Sequence, residues 1–146
     1  MEDDLNSSFG FVLHDIARLL RKNFDKRART LDLTRSQWSV IAHLMRHDGI
    51  QQKMLAEILE ITPTTLVGLV DRMEKSRWLE RRDDPSDRRA KLLFLTPKAK
   101  IVFEKLKKMG KETREEAFKG IRADEREAFM KTLLKIRDTL SDKKQP

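Results

Sequence analysis

The chain contains no cysteine, so disulfides, thiolate metal sites and cysteine redox switching are excluded. Five glycines and four prolines in 146 residues leave little material for flexible linkers, and a single unit is expected. No apolar run approaches the roughly 20 residues needed to span a bilayer. The opening "MEDDLNSS" is acidic where a signal peptide is basic, which makes a cytoplasmic location the expectation. No Ser-His-Asp order, phosphate loop or paired-carboxylate site stands out. No catalytic residue, cofactor or metal is therefore assigned, and an enzyme is not expected.

What the chain does have is positive charge. Thirty-two lysines and arginines against 24 acidic residues give a formal charge of +8 and a pI near 9.9. That balance favours a polyanionic partner such as nucleic acid, or an anionic membrane surface. The length suits one domain, and an elongated helical subunit of this size could complete its core against a second copy.

Hydrophobic periodicity orders the segments. Phe9, Val12, Leu13, Ile16, Leu20 and Phe24 recur at helical spacing behind Ser7 or Ser8 as a cap. Thr34 with Gln37 three residues on is a capping-box pattern, opening a second helix that carries Trp38, Ile41, Leu44 and Met45 and stops by Gly49. A short helix with Leu55, Ile58 and Leu59 is followed, after about three residues, by one that Thr62 caps and Pro63 starts. Two short helices so arranged are a helix-turn-helix pattern. After Trp78 the period becomes alternating over Leu79 to Arg82 and Ala90 to Leu95, with Pro85 between them, which reads as a β-hairpin with a polar tip. Thr96-Pro97 starts another helix, with Ala99, Val102, Phe103, Leu106 and Met109 as its stripe. In the last helix Phe129, Leu133, Ile136 and Leu140 form a narrow 4-3-4 seam suited to a partner helix. The tail from Asp142 to Pro146 is expected to fray.

The second helix of the helix-turn-helix buries Leu66, Leu69, Val70 and Met73. Thr62, Thr64, Thr65, Val67, Gly68, Asp71 and Arg72 are left to the outward side. Threonine hydroxyls and the first backbone N–H groups can bond phosphates, and threonine methyls or Val67 can touch a thymine methyl. An ordinary capped surface helix is the alternative. The hairpin tips the balance, because a tip placed here reaches the adjacent minor groove, where arginine is favoured. Arg88 and Arg89 sit where such a tip presents them. From Glu80 to Lys91 there are five basic and four acidic residues, a net of +1, so bulk attraction is not the hairpin's purpose. One or more of Asp83, Asp84 and Asp87 is expected to pair with an arginine and orient it.

"LTRSQWSVIAHL", "LVDRMEKSRWLERRDDPS" and "DRRAKLLFLT" together resemble the MarR family of winged helix-turn-helix regulators. The likeness runs from about Phe9 to Leu140 and is most specific from Leu33 to Lys98. It implies a mainly α fold of six helices with a small β-hairpin wing, in one domain. Residues 5–30 and 97–142 would supply dimerisation helices, and residues 33–96 the DNA-binding lobe. It implies a cytoplasmic homodimer that binds double-stranded DNA, acts mostly as a repressor on a pseudopalindromic operator, and inserts Arg88 into the minor groove, with Asp87 orienting nearby groups. It further implies a small aromatic or phenolic effector, for which His14, Arg18 and Trp38 are candidate lining residues. Two positions depart from the pattern. Arg77 stands where the family often has glycine, at a cost of about 1 kcal/mol if its backbone is left-handed. Gly68 stands where relatives often carry a long side chain that could read a base.

His43 and His47 lie four apart, the zincin spacing, but Leu44, Met45 and Arg46 between them supply no glutamate base; helix-end histidines completing the dipole are the plainer reading. The lysine face of Lys98, Lys100, Lys105, Lys107, Lys108 and Lys111 is a solvated surface that could add phosphate attraction at a distance. The rival to a sequence-specific regulator is a sequence-indifferent architectural nucleic-acid-binding protein.

Overall fold

The computed structural model describes residues 4–141, and the tail expected to fray lies outside them. Among the described residues the order is α1 (Phe9–Ala28), α2 (Arg35–Arg46), β1 (Ile50–Gln51), α3 (Gln52–Leu59), α4 (Pro63–Lys75), β2 (Leu79–Asp84), β3 (Asp87–Leu95), α5 (Pro97–Ala117) and α6 (Ala123–Leu140). This is the mainly α, winged organisation expected from the sequence. Two compact units divide between Thr113 and Arg114, inside α5.

In the first unit the helix starts follow local chemistry. Thr34 and Gln37 form both halves of a capping box on α2. The Thr62 hydroxyl accepts from Thr65 N at 3.2 Å and Pro63 occupies the first turn of α4. The Thr96 hydroxyl accepts from Ala99 N at the start of α5. Ser8 holds the cap position of α1, but its side chain makes no capping bond. The turn between α3 and α4 is closed by Glu60 in the left-handed region, φ 54°, with Ile61 N donating to Ala56 O.

The core is assembled from α2, α3, α4 and the sheet. Ile41, Leu44, Leu55, Leu66, Met73, Leu79 and Leu93 are fully buried there. The sheet has three antiparallel strands in the order β1-β3-β2. Ile50 pairs with Leu93 and Gln51 with Leu92, so the wing hairpin is extended by a two-residue strand that alternation alone does not reveal. In β3 only Leu93 and Leu95 are buried, two residues apart, as a strand with one covered face requires. Gly49, at φ 83°, donates from its N–H to Leu93 O, and a Cβ there would meet the Phe94 ring at 3.0 Å, so this turn needs glycine. Asp48 accepts from Leu95 N at 3.0 Å and joins the end of α2 to the base of the wing.

Half of the α1 stripe is uncovered within this chain: Phe9, Val12 and Ile16 are exposed, whereas Leu13, Leu20 and Phe24 are partly buried in this helix. Ala28 is its one buried residue, while Phe9, Phe11, Ile16 and Leu19 are between 44% and 59% exposed. In the second unit, Phe118 and Phe129 meet edge to face with Arg126 over Phe118. No residue of α6 is buried, and Phe129, Met130, Leu134 and Leu140 are exposed.

Candidate nucleic-acid interface

α4 buries Leu66, Leu69, Val70 and Met73 and turns its other side outward. The threonines on that side differ in what they have free. Thr62 and Thr65 are engaged with each other, their hydroxyls 2.8 Å apart, and the Thr62 oxygen also caps the helix. Thr64 is exposed, and its hydroxyl has no partner among the described residues. Val67 is 39% exposed. Gly68 has ordinary helical backbone, and the Arg72 guanidinium rests 3.6 Å from the point where its Cβ would stand.

The wing is not a regular ladder. Asp84 pairs with Asp87 across the Pro85-Ser86 turn, yet Asp83 pairs with Lys91. Arg88, Arg89 and Ala90 therefore bulge from β3 with no partner on β2. A bulge re-aims side chains and increases local twist, and here it carries the two arginines assigned to the tip.

None of the three wing aspartates pairs with an arginine, which corrects the expectation from the sequence. Asp83 holds Lys91. Asp84 accepts from the N–H and hydroxyl of Ser86, at 2.9 and 2.7 Å, and from Gln51 Nε2 at 2.9 Å; it folds the tip and fastens it to β1. Those bonds, the backbone one first, hold its carboxyl below the usual range. Asp87 accepts from the backbone N–H of Arg89 at 3.0 Å, so it shapes the bulge through the main chain. The physical reason is reach: Asp84 and Asp87 beside a tight turn meet local N–H and hydroxyl donors first, and Asp83 meets the lysine directly opposite it on β3.

The arginine that is fixed is Arg81. Its Nη2 donates to Asp71 at 2.5 Å and to Glu74 at 3.1 Å, both on α4, and its backbone N–H donates to the other Glu74 oxygen. The Glu74 side-chain bond, working against burial and aided by Asp71, raises the already high Arg81 pKa; the same bonds hold Glu74 below the usual carboxylate range. Arg82 lies over the Phe94 ring, 4.1 Å from its centroid, and donates to Glu80. Of the five cations between Glu80 and Lys91, Arg81, Arg82 and Lys91 are thus neutralised by neighbours. Arg88 and Arg89 are exposed, and among the described residues their guanidiniums have no hydrogen-bond, ion-pair or ring partner. The tip thus carries two guanidiniums without partners among the described residues, beside the carboxylates of Asp84 and Asp87, which neutral donors hold. A cleft of about 140 Å³ at its base, flanked by Lys53 and Arg89, lies between the wing, α3 and the start of α4.

The clamp on Arg81 was open to sequence reasoning in one respect. Asp71 and Glu74 are three apart on α4 and face the same way. Their partner on β2 is a tertiary pairing that spacing does not encode.

Each of the residues assigned to an effector has its own surroundings. Trp38 donates from Nε1 to Asp25 at 2.7 Å and packs edge to face on Phe24. Arg18 is exposed and pairs with Asp15 at 3.9 Å, and His14 is exposed on α1. No hydrogen bond, ion pair or ring contact joins the three among the described residues. His43 Nδ1 lies 2.7 Å from Ser39 O in its own helix. In α5, Lys98 bonds Ser76 O and sits over Trp78, Lys100 faces Asp48 and Lys107 faces Glu104, so half of the lysine face has local partners.

Comparison with known proteins matches this segment and most of the chain around it. A family model described as "MarR family" matches residues 31–90, from the approach to α2 through the wing arginines. The uncharacterized HTH-type transcriptional regulator YybA of Bacillus subtilis (strain 168) is 29% identical over 125 residues, covering 86% of this chain and 83% of the relative. Among solved structures, the transcriptional regulator PA3341 is 32% identical with a TM-score of 0.77, covering 91% of this chain and 98% of that one. The transcriptional repressor CouR, bound to a 23-mer DNA duplex, is 26% identical with a TM-score of 0.75, covering 94% and 97%.

Proposed function

The chain belongs to the MarR family of transcriptional regulators, and from that premise we propose that it is a sequence-specific DNA-binding repressor acting as a homodimer on a pseudopalindromic operator. It is a regulator and not an enzyme. The observation that carries the reading is the pair of guanidiniums, Arg88 and Arg89, without partners among the described residues, on a bulged wing that Arg81 clamps to α4. The DNA duplex on CouR supports it by likeness.

In this reading α4 enters the major groove. Thr64, Val67 and Arg72 face base edges, the cap at Thr62 and Thr65 faces phosphate, and Gly68 permits close approach. The wing places Arg88 in the neighbouring minor groove, with Arg89 against the backbone and Asp87 shaping the bulge between them. The uncovered half of the α1 stripe and the exposed face of α6 support a dimer built from residues 5–30 and 97–142, with residues 33–96 as the reading head. Repression then follows from occupying promoter DNA. An aromatic or phenolic anion would relieve it only by binding one spacing of the two heads more tightly than the other.

In vitro selection from random duplexes tests the reading. Two-fold related half-sites whose centres lie about one helical turn, roughly 34 Å, apart are expected. Recovery of asymmetric or single half-sites would overturn it.

A further inference from the structure

We propose that Arg72 is the specificity-determining residue of α4, and that it reads a guanine in each half-site from a position that Gly68 leaves vacant. The inference rests on the assignment of α4 to the major groove.

Thr64, Gly68 and Arg72 are four apart and lie on one outward stripe of the helix. Helical side chains lean towards the N-terminus, so the surface a residue covers lies over the preceding turn. Arg72 follows this rule, with Nη1 3.6 Å from the Cβ position of Gly68. Its charged end therefore occupies the place a side chain at 68 would fill, nearer the N-terminal half of the helix that contacts base edges in helix-turn-helix proteins.

The other groups on this face are poorer readers. Asp71 is held by Arg81, and the Thr62 and Thr65 hydroxyls are engaged with each other. Lys75 ends the helix and offers a point charge without a planar fork. Arg72 is exposed and its guanidinium has no hydrogen-bond, ion-pair or ring partner among the described residues. A planar guanidinium free on the groove-facing side matches the O6 and N7 acceptors of guanine in two parallel bonds. Gly68 is thus a permissive residue that moves base reading from position 68 to position 72.

The test is in vitro selection followed by affinity measurements on the selected duplex and on duplexes with each guanine replaced, for the full chain and for R72A, R72K, G68A and G68Q. For the wild type, replacing the guanine is expected to weaken binding about 10- to 100-fold. R72A is expected to be indifferent to that replacement while keeping every other consensus position. R72K, which keeps the charge and loses the fork, is expected to hold affinity for random DNA and lose the guanine preference. G68A, whose methyl makes only ordinary contact with Arg72 but adds bulk where the helix approaches the duplex, is expected to weaken binding at all sequences alike and to keep the guanine preference. G68Q fills the seat and is expected to change the preferred base at an unaltered melting temperature. A uniform loss of affinity in R72A with the guanine preference intact would make Arg72 a phosphate contact and overturn the inference alone. A wild type that selects no sequence would overturn the functional reading with it.

Discussion

Arg81 and Glu74 are joined twice, Nη2 to Oε1 at 3.1 Å and backbone N–H to Oε2 at 3.0 Å. Arg81 lies in β2 of the wing and Glu74 near the end of α4, so in the proposed complex the helix and the wing would be placed on DNA together. Asp71 completes the clamp.

Arg81→Met removes charge-assisted bonds that are part-buried in a side chain 25% exposed. Unfolding by denaturant is expected to show a loss of about 1 to 2 kcal/mol. More telling is a double-mutant cycle. Arg88→Ala is expected to weaken operator binding sharply in the wild type and by much less in the Arg81→Met background, because an unaimed wing no longer delivers Arg88. Strictly additive losses would separate the clamp from the wing's role.

The Thr62 hydroxyl caps the start of α4, whereas that of Thr64 has no partner among the described residues. Thr62→Ala removes a helix cap and is expected to cost about 1 kcal/mol of stability. Thr64→Ala touches no internal partner and is expected to leave stability within about 0.5 kcal/mol while weakening DNA binding. Thermal melts and equilibrium titrations on the same preparations check both.

Asp25 receives Arg35 at 2.6 and 2.8 Å and Trp38 at 2.7 Å. Burial pushes its carboxyl up, and the bonds from Arg35 and Trp38 outweigh that and hold it low, as Arg81 does for Glu74. With folded values below unfolded ones, both groups contribute stability that is full above the ordinary carboxylate range near pH 4 and lost as pH falls through it. Asp25→Asn is expected to lower stability at neutral pH by about 2 kcal/mol and to flatten the acid limb of a plot of stability against pH. An unchanged acid limb would remove Asp25 from that role.

Arg77 sits at φ 61°, the left-handed conformation that its replacement of a glycine made a question in the sequence. Arg77→Gly is expected to raise stability by about 1 kcal/mol, with the Thr96 hydroxyl still donating to the carbonyl of residue 77. A decrease would show that the arginine side chain compensates for its backbone.

Features fixed by neighbouring residues were legible before the structure. The Thr34–Gln37 box, the Thr62-Pro63 start and the Thr96-Pro97 start each depend on groups within three residues, and the four buried positions of α4 follow from the helical period. Features fixed across the chain were not. β1 is two residues long and exists because Leu92 and Leu93, some forty positions on, supply its partners. The bulge at residues 88–90 depends on where Asp83 finds Lys91. Arg81 was one of four wing arginines in sequence, and the carboxylates of α4 single it out. Of the aspartates nearer to it in sequence, Asp83 is taken by the lysine opposite it, and Asp84 and Asp87 by N–H and hydroxyl groups of the tip.

The central claim is that the paired helix and wing read sequence, and the most direct test is the ratio of affinities for the selected operator and for random duplex at one salt concentration. A ratio of at least about 1,000 is expected. A ratio near one would contradict it and make the chain a sequence-indifferent DNA-coating protein.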